Sequence, residues 1–323
     1  MSDPMVSVVV PVYNGAAYLT ECLDSVLGQS YDAWSCTIVD NASTDATPEI
    51  ASVYAARDPR IVHSRFDAHV EATENHNRAF AAVAPEAEFC KVLQADDWLY
   101  PDCLRRMVEA AQASPEIGVV SAYQLWGAQV HLGGLPYTDE VVPGRTVLRE
   151  TLLGHYNVTG GPTANMLRAR FVRERQPFYQ DGFRHDDSEA MLWMHTRSDL
   201  AFVHQVLTFA RRQEISRMTL SRRLRSQKPE EIVFLLRYGR LVLAEDEFRR
   251  ALRSRLQNYV RWHVFQVARV SRLRDPQFFE FHNAKLEQFR AEGGGDRDVA
   301  AAVAAVRALL LRGAPARRLR AWN

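Results

Sequence analysis

The feature that most constrains the fold is an alternation of short apolar runs with helical patterns in the N-terminal third of the sequence. The runs Val6–Val10, Ser35–Val39 and Phe89–Leu93 are typical of buried strands, and Ile61 begins a shorter one. Apolar residues at helical spacing follow these runs, in the segments Tyr18–Leu27, Thr47 onward, Glu74–Ala84 and Pro101–Ala113. Strands that alternate with helices predict an α/β fold, with a mostly parallel sheet covered by helices on both faces.

Polar residues stand where three of these strands end. Asn14 follows the first strand, Asp40 the second and Asp96 the fourth. Ligands of parallel sheets bind at the carboxyl ends of the strands. We therefore expect these three side chains to lie at one edge of the sheet, around a ligand.

Asp96 and Asp97 are adjacent carboxylates, which repel each other unless a cation lies close by. Carboxylate oxygens suit Mn²⁺ or Mg²⁺, and these ions also bind oxygens of a phosphorylated substrate. The two residues also precede a helix near Pro101, so the alternative is that they only cap this turn and helix. The sequence thus predicts a metal site at Asp96 and Asp97, with capping as the alternative.

Three segments in a fixed order resemble the motifs of glycosyltransferase family 2: Val8–Asn14, Ile38–Asp45 and Leu93–Pro101. The resemblance extends over residues 5–220 and implies a GT-A fold, in which a nucleotide-sugar half precedes an acceptor half. It also implies metal-dependent, inverting transfer from a nucleoside-diphosphate sugar, with a UDP-type donor favoured. The implied acceptor is a hydroxyl of a saccharide, a lipid-linked sugar or a protein, in the synthesis of surface polysaccharides or glycoconjugates.

The resemblance also implies which residues bind the donor. In the family, the turn after the first strand and the aspartate after the second hold the base and ribose. The residues implied to bind the nucleotide-sugar are Pro11, Tyr13, Asn14, Asp40, Asn77, Gln94, Asp96 and Arg211. Asp96 is the implied ligand of Mn²⁺ or Mg²⁺. Asp97 either joins it on the metal or accepts a hydrogen bond beside it.

Three positions depart from the family pattern. Gln94 replaces the first aspartate of the Asp-X-Asp motif, His76 replaces an arginine before Asn77, and Gln213 replaces a histidine. A glutamine still hydrogen-bonds a ribose hydroxyl but brings no charge to a metal. These departures support one alternative function, a non-catalytic sugar-nucleotide-binding or scaffolding protein. A second alternative is a sugar nucleotidyltransferase, but the sequence lacks a glycine-rich triphosphate loop after the first strand.

An acid cluster, Asp186–Glu189, is the candidate source of the catalytic base. An acceptor hydroxyl is a poor nucleophile, so transfer needs a carboxylate that takes its proton. The family has an acidic pair at this place, which implies Asp187 as the base, with Asp186 or Glu189 as alternatives. The other interpretation is a helix N-terminus, where the helix dipole favours acidic residues.

Two further segments resemble parts of the family's site. Thr159–Asn165 resembles the turn that borders the sugar and acceptor pocket. Arg211 and Arg212 fall in the segment that follows the closing strand. We expect an arginine in this segment to bind the diphosphate through two hydrogen bonds. The alternative is that Arg211 and Arg212 form only a solvated basic turn.

Charge divides the chain into two parts. Residues 1–221 carry 18 Lys and Arg against 28 Asp and Glu, a net charge of −10, and residues 222–323 carry 22 against 11, a net charge of +11. We expect residues 1–221 to form the GT-A domain, with its nucleotide-sugar half at about 1–120 and its acceptor half at about 121–221. Residues 222–323 are expected to form a basic helical extension.

The extension shows amphipathic helical patterns at Ile232–Leu243, Phe248–Val270, Phe278–Phe289 and Val299–Leu311. The number of apolar positions favours helices that pack on the catalytic domain and on one another. The alternative is that the arginines contact an anionic membrane. No nucleic-acid-binding motif accompanies them, so we do not expect nucleic acid as a partner.

Cysteine usage and hydropathy predict a cytoplasmic protein. The four cysteines have no metal-type spacing, and we expect them to be reduced and mostly buried. No window approaches ~18 uninterrupted apolar residues, and the N-terminus lacks the pattern of a secretory signal. Peripheral contact with the inner face of the membrane, through the C-terminal helices, is compatible with this location.

Overall fold

The sheet predicted from the sequence is present, and its parallel part contains the four strands expected in the N-terminal third. The computed structural model describes residues 3–211, 217–268 and 275–313. The strands in these ranges are β1 (Val6–Val12), β2 (Trp34–Asp40), β3 (Ile61–Arg65), β4 (Phe89–Val92), β5 (Trp98–Leu99), β6 (Ile117–Trp126), β7 (Gln129–His131), β8 (Val141–Val142), β9 (Asn165–Arg168) and β10 (Asp199–Ala210). The main sheet has the order β3-β2-β1-β4-β9-β6-β10-β5. Strand β1 pairs in parallel with β2 and β4, and β2 pairs in parallel with β3.

Helices cover both faces of this sheet, which confirms the expected α/β class. The described helices are α1 (Leu19–Leu27), α2 (Thr47–Arg57), α3 (Ala72–Ala81), α4 (Cys103–Ala111), α5 (Gly144–Leu153), α6 (Ala169–Glu174), α7 (Asp186–His195), α8 (Arg217–Leu224), α9 (Gln227–Val242), α10 (Glu245–Ala268), α11 (Pro276–Gly293) and α12 (Arg297–Gly313). All seven residues of β1 are buried. Val8 and Val10 pack in one apolar cluster with Leu23 of α1, whereas Val9 packs in another with Phe80 of α3. Successive side chains of β1 therefore meet helices on opposite faces.

Two helix starts near the site need comment. Helix α4 begins at Cys103 rather than at Pro101. Helix α7 begins at Asp186, so its first turn includes Asp187 and the rest of the acid cluster. The apolar periodicity starts only at Ala190, so it does not register an acidic first turn that the helix dipole favours. All four cysteines are buried and free, as expected.

Strand β9 brings the acceptor half of the chain against β4. It runs antiparallel to both β4 and β6 and lies between them. A short 3₁₀ turn, Pro162–Ala164, leads directly into this strand. The turn that was expected to border the acceptor pocket therefore adjoins the strand that precedes Asp96.

Arg168, the last residue of β9, supports several main-chain carbonyls. Its Nε donates to Ile117 O at 2.8 Å, and its Nη2 donates to Ala111 O at 3.0 Å and to Ser114 O at 3.3 Å. Its Nη1 also pairs with Glu88 at 2.6 Å. Arg168 is 8% exposed, so water does not readily replace these donors.

We expect Arg168→Met to lower the free energy of unfolding by about 3 kcal/mol, because three carbonyls lose a charged donor. Urea denaturation measures this change. Arg170→Met is the matched control, because Arg170 is exposed and donates to Pro115 O at 2.9 Å. A loss of the same size in both variants would contradict the structural role given to Arg168.

The chain forms two compact units. Unit 1 comprises Met1–Gly182 and Asp186–Arg212, and unit 2 comprises Phe183–His185 and Gln213–Asn323. The division after Arg212 lies close to the boundary expected at residue 221. The functional assignment of the two parts stays a prediction.

Unit 2 contains apolar side chains that are fully buried. Each of its four long helices contributes, with Leu235, Phe248, Phe289 and Val303. Several of its arginines pair with acids of the same unit, among them Arg237 with Glu292 at 2.5 Å and Arg253 with Asp298 at 2.6 Å. Across residues 3–211, 217–268 and 275–313, no helix has both the length and the apolar character needed to cross a membrane.

Candidate functional site

The loop after β1 is fastened to the loop after β2. The N–H of Asn14 donates to Ser43 Oγ at 2.9 Å, and Asn14 Oδ1 accepts from the N–H of Thr44 at 2.8 Å. The N–H of Gly15 donates to Thr47 Oγ1 at 2.8 Å. Asn14 has φ +51°, a left-handed conformation that asparagine adopts more readily than most residues. These hydrogen bonds hold the two loops together at the carboxyl edge of the sheet.

Asp40 ends β2 and has a fully buried side chain. Its Oδ1 accepts a hydrogen bond from the N–H of Ser43 at 2.9 Å. Its Oδ2 accepts no hydrogen bond from the residues that the structure describes, although His63 Nε2 and Arg65 Nε lie 3.5 and 3.7 Å away. A buried carboxylate oxygen without a hydrogen bond is unusual, so this atom is a candidate acceptor for a ligand.

Pro11 and Tyr13, which were predicted to bind the base of the nucleotide, differ in exposure. Pro11 is buried within β1, opposite Val39 of β2. Tyr13 is 47% exposed, and its ring centroid lies 4.3 Å from that of His69. Tyr13 therefore presents an exposed aromatic ring beside the loops, whereas Pro11 belongs to the strand beneath them.

Asp97 is held from two sides. Its Oδ2 accepts from Thr163 Oγ1 at 2.6 Å, and its Oδ1 accepts from the N–H of Arg211 at 2.9 Å. Burial, together with the neighbouring Asp96 carboxylate, raises the pKa of Asp97 to about 7. Asp96 itself is half-buried. Of the two roles open to Asp97, these contacts favour that of an acceptor beside the metal ligand.

Arg211 lies beside Asp96. Its Nε donates to the main-chain oxygen of Asp96 at 3.2 Å, and its guanidinium pairs with the carboxylate of Glu21. The Arg211 side chain is 27% exposed, and its contact with a diphosphate stays a prediction. Arg212 and Gln213 lie outside the described residues.

Two of the three departures from the family pattern, Gln94 and His76, hydrogen-bond to each other. His76 Nδ1 lies 2.7 Å from the carbonyl oxygen of Ala72, which can only accept, so Nδ1 carries a proton. In the neutral imidazole, Nε2 then accepts from Gln94 Nε2 at 2.9 Å. The two replacement residues therefore form one hydrogen-bonded pair.

Asn77, an implied donor-binding residue, bonds to the main chain of Tyr179. Its Nδ2 donates to Tyr179 O at 2.9 Å, and its Oδ1 accepts from the N–H of Tyr179 at 2.8 Å. Asn77 thereby fixes the segment that leads to α7. A direct contact between Asn77 and a donor stays a prediction.

The three acids of the first turn of α7 have different surroundings. Glu189 is fully buried and pairs with Arg175 at 2.6 Å. Asp186 is 2% exposed and accepts a hydrogen bond from Thr73 Oγ1. Asp187 is half-buried and lines a pocket. Sequence reasoning could not separate the three, because Arg175 and Thr73 are distant in the chain.

The pocket at Asp187 includes the turn before β9. Its other lining residues are Phe80, Val92, Gly160, Pro162, Asn165, Leu167, Tyr179 and Met191. Thr163, the next residue after Pro162, donates to Asp97. The turn therefore links the pocket at Asp187 to the two adjacent carboxylates after β4.

Sequence reasoning included Thr163 in the turn Thr159–Asn165 but missed its contact with Asp97, and it missed the role of Lys91. Lys91 is fully buried, and its Nζ donates to Thr163 O at 2.6 Å and to Asn165 O at 3.2 Å. Burial lowers the pKa of Lys91. Thr163 Oγ1 also accepts from the N–H of Gln94 at 3.2 Å. The one sequence feature that could have indicated these contacts is a lysine, Lys91, inside an otherwise apolar strand.

The loops after β1 and β4 also meet. A Cβ on Gly15 would lie 3.6 Å from Ala95 Cβ, and Cys22 Sγ donates to Gln94 O at 3.7 Å. The structure therefore brings the loop of Asn14 next to that of Asp96, as the strand ends suggested. Across residues 3–211, 217–268 and 275–313, no group of three or more histidine, cysteine, aspartate or glutamate side chains could hold a metal ion. The metal-ligand role of Asp96 stays a prediction, and a single carboxylate would leave the remaining ligands of an ion to phosphate and water.

Comparison with known proteins identifies relatives of this chain. The putative glycosyltransferase EpsH of Bacillus subtilis is 34% identical over 119 residues, which cover 34% of this chain and 31% of EpsH. The putative teichuronic acid biosynthesis glycosyltransferase TuaG of the same organism is 33% identical over 106 residues, which cover 33% of this chain and 41% of TuaG. The matches therefore span less than half the length of these two relatives.

Solved structures share the fold. S. aureus TarS residues 1–349, in complex with UDP-GlcNAc, superimposes with a TM-score of 0.67 at 18% identity, covering 96% of this chain and 89% of the TarS chain. The model of the family described as glycosyl transferase family 2 matches residues 7–175. Because that match covers more than half of the chain, this protein belongs to glycosyl transferase family 2.

Proposed function

We propose that this protein transfers a sugar from a nucleoside-diphosphate sugar of UDP type to an acceptor hydroxyl, in the synthesis of a surface polysaccharide or glycoconjugate. The observation that carries the proposal is the pocket at Asp187, whose lining turn is tied through Thr163 to Asp97, next to Asp96. The base candidate Asp187 thus lines the same pocket as the turn whose Thr163 is hydrogen-bonded to Asp97, the neighbour of the metal-ligand candidate. This supports transfer over binding alone.

The nucleotide is assigned to the loops after β1 and β2. Asp40 Oδ2 is buried and accepts no hydrogen bond from the described residues, and the ring N–H of uracil is a suitable donor for it. The exposed ring of Tyr13 offers a face on which a base can stack. The UDP-GlcNAc complex of TarS supports a donor of UDP type.

We expect Asp40→Asn to weaken UDP binding by about tenfold or more, because a hydrogen bond to a charged acceptor is worth about 1.5–3 kcal/mol. The asparagine can still accept from the N–H of Ser43 but places an NH₂ group where Oδ2 was. Titration calorimetry with UDP measures the change. Asp67→Asn, a change of an exposed aspartate after β3, is the control and should leave the affinity unchanged. Unaltered affinity in Asp40→Asn would contradict the assigned contact.

Asp96 is the residue assigned to hold Mn²⁺ or Mg²⁺, together with the diphosphate of the donor. The site fits a cation, because two carboxylates are adjacent there. Burial and, after it, the charge of Asp96 raise the pKa of Asp97, and a bound cation relieves the repulsion between the two carboxylates. When bound, such an ion neutralises the charge that grows on the diphosphate as the glycosidic bond breaks. Arg211, which lies beside Asp96 and pairs with Glu21, is the arginine assigned to contact the diphosphate.

Asp187 is assigned as the base. The acceptor oxygen forms a bond to the anomeric carbon, the bond from that carbon to the diphosphate breaks, and the hydroxyl proton passes to the Asp187 carboxylate. Attack opposite the leaving diphosphate inverts the configuration. Asp186 and Glu189 are less suited, because they are buried and held by Thr73 and Arg175.

A non-catalytic sugar-nucleotide-binding protein was the first alternative. Of the three departures that motivated it, Gln94 and His76 hydrogen-bond to each other, and Gln213 lies outside the described residues. The carboxylates Asp96 and Asp187 are present in the chain. A thermal-shift panel of nucleotide-sugars with Mn²⁺ identifies the donor for the assays below. A cytoplasmic location and contact of the basic helices with a membrane stay predictions.

A further inference from the structure

Unit 2 contains a buried ion pair between Glu230 of α9 and Lys285 of α11. Lys285 Nζ lies 2.9 Å from Glu230 Oε1, and the two side chains are 2% and 0% exposed. Burial lowers the pKa of Lys285, while the Glu230 carboxylate opposes that shift. Buried ion pairs are seldom a net source of stability, because the cost of desolvation offsets their attraction. Stability alone therefore does not account for this pair.

Glu230 also binds a short segment of main chain. Its Oε1 accepts from the N–H of Arg184 at 2.8 Å, and its Oε2 accepts from the N–H of His185 at 2.9 Å. Two charge-assisted hydrogen bonds from successive amides fix the orientation of that segment. His185 Nε2 lies 3.0 Å from Ser226 Oγ, which adds a third contact.

The residue before these amides is held as well. The ring of Phe183 lies 5.5 Å from that of Phe234, between ring centroids. Lys285 Nζ and the guanidinium of Arg237 lie 4.6 and 5.1 Å from the Phe183 ring centroid. The segment Phe183–His185 is thus held by side chains of unit 2, to which it belongs.

The chain continues directly from His185 into Asp186 and Asp187, the first residues of α7. The amide of His185 that Glu230 holds is two residues before the proposed base. The family match ends at residue 175, so it covers neither Glu230 nor this segment. Glu230 therefore binds main chain that runs directly into the start of α7.

We propose that Glu230, with Lys285 as its counter-ion, is a positioning residue for Asp187. The carboxylate fixes the backbone that leads into α7, and this sets the direction in which Asp187 enters its pocket. The proposal rests on the proposed function, because that function gives Asp187 its role as the base. It assigns the basic helical extension a part in the reaction in addition to its own packing.

The test removes the carboxylate without leaving a buried charge unpaired. Glu230→Leu combined with Lys285→Met replaces both partners by apolar side chains, a change that structures often tolerate. We expect kcat for UDP release to fall about tenfold, with the KM for the donor unchanged, because a small misplacement of a catalytic group costs rate rather than donor binding. The probe is UDP-GlcNAc with Mn²⁺, or another UDP-sugar that the wild-type chain turns over.

A second readout does not depend on turnover. Hydrogen exchange, resolved to single amides, should become faster at Asp187 and Ser188 in the double variant, beyond the direct change at Arg184 and His185. Asp298→Asn is the matched control, because it breaks the exposed pair of Asp298 with Arg253 in the same unit. It should leave both exchange and kcat unchanged.

If the double variant does not fold, Glu230→Gln replaces it. Glutamine keeps one carbonyl oxygen for one of the two amides, and we expect a smaller fall in kcat with the same exchange pattern. Wild-type kcat, or unchanged exchange at Asp187 and Ser188, in a folded variant would overturn the proposal. If Asp187→Asn is inactive while the double variant is fully active, only this inference fails. If Asp187→Asn is fully active, the assignment of the base fails instead.

Discussion

Asp187→Asn is expected to lower turnover by ~10² or more while leaving nucleotide-sugar affinity unchanged, which is the scale of losing a general base. Asparagine has the size of aspartate and keeps an oxygen that can accept from the N–H of Ser188, a bond of 2.7 Å in the structure. It cannot take a proton from an acceptor hydroxyl. Steady-state UDP release measures turnover, and titration calorimetry with the donor measures affinity.

The controls for this prediction lie in the same stretch of chain. Asp181→Asn changes an exposed aspartate near α7 and should have wild-type turnover. Glu189→Gln weakens a buried pair with Arg175 and should mainly lower the free energy of unfolding. If Asp186→Asn abolishes turnover and Asp187→Asn does not, the base lies one residue earlier. If neither matters, the acids serve only the helix N-terminus.

Asp96→Ala is expected to abolish the effect of Mn²⁺ on nucleotide binding. The wild-type chain should bind UDP much more weakly in EDTA than in Mn²⁺, whereas the variant should bind equally weakly in both. We also expect turnover to fall by ~10² or more, because a metal ion contributes several kcal/mol of charge stabilisation at the leaving diphosphate. Titration calorimetry with and without metal measures the first effect.

Two other carboxylates near Asp96 serve as comparisons. Asp102→Asn changes an exposed residue that hydrogen-bonds Ser30, and it should leave the metal effect intact. Asp97→Ala removes an acceptor for Thr163 and for the N–H of Arg211, so we expect a smaller change in the metal effect than for Asp96→Ala. Equal UDP affinity of the wild-type chain in Mn²⁺ and in EDTA would contradict the metal assignment.

The sequence predicted the sheet because its strands are short, apolar and regularly separated by helices. Both faces of β1 are covered, so its apolar run is continuous and easily recognised. The polar residues at the strand ends were also visible, and Asn14 and Asp40 are indeed linked through Ser43. Where a strand ends and which polar residue follows it are local properties, and local patterns report them well.

The surroundings of each acid were not predictable, because they depend on residues far apart in the chain. Asp186 and Glu189 are held by Thr73 and Arg175, while Asp187 reaches a pocket. A contact between two single side chains leaves no periodic pattern in the sequence. The tie of Thr163 to Asp97 depends on the antiparallel insertion of β9 beside β4, which the alternating pattern did not indicate.

The extension illustrates the same division between local and distant information. Its helices were expected from amphipathic patterns, and α9 to α12 lie where those patterns do. Its charge indicated a basic surface, yet several of its arginines pair with acids of the same unit. The contact of Glu230 with the amides of Arg184 and His185 joins segments that are 45 or more residues apart, and only the structure reveals it.

The central claim is sugar transfer from a nucleotide-sugar, and analysis of the products tests it most directly. The full chain is incubated with Mn²⁺, a panel of labelled UDP-sugars and a set of saccharide acceptors, and all nucleotides and sugars are separated and identified by mass spectrometry. We expect one donor to be consumed, with release of UDP and formation of a glycoside of inverted configuration, in a reaction that requires Asp187. Donors that bind but are never consumed, or a chain that instead makes UDP-sugars from UTP and sugar phosphate, would contradict the account.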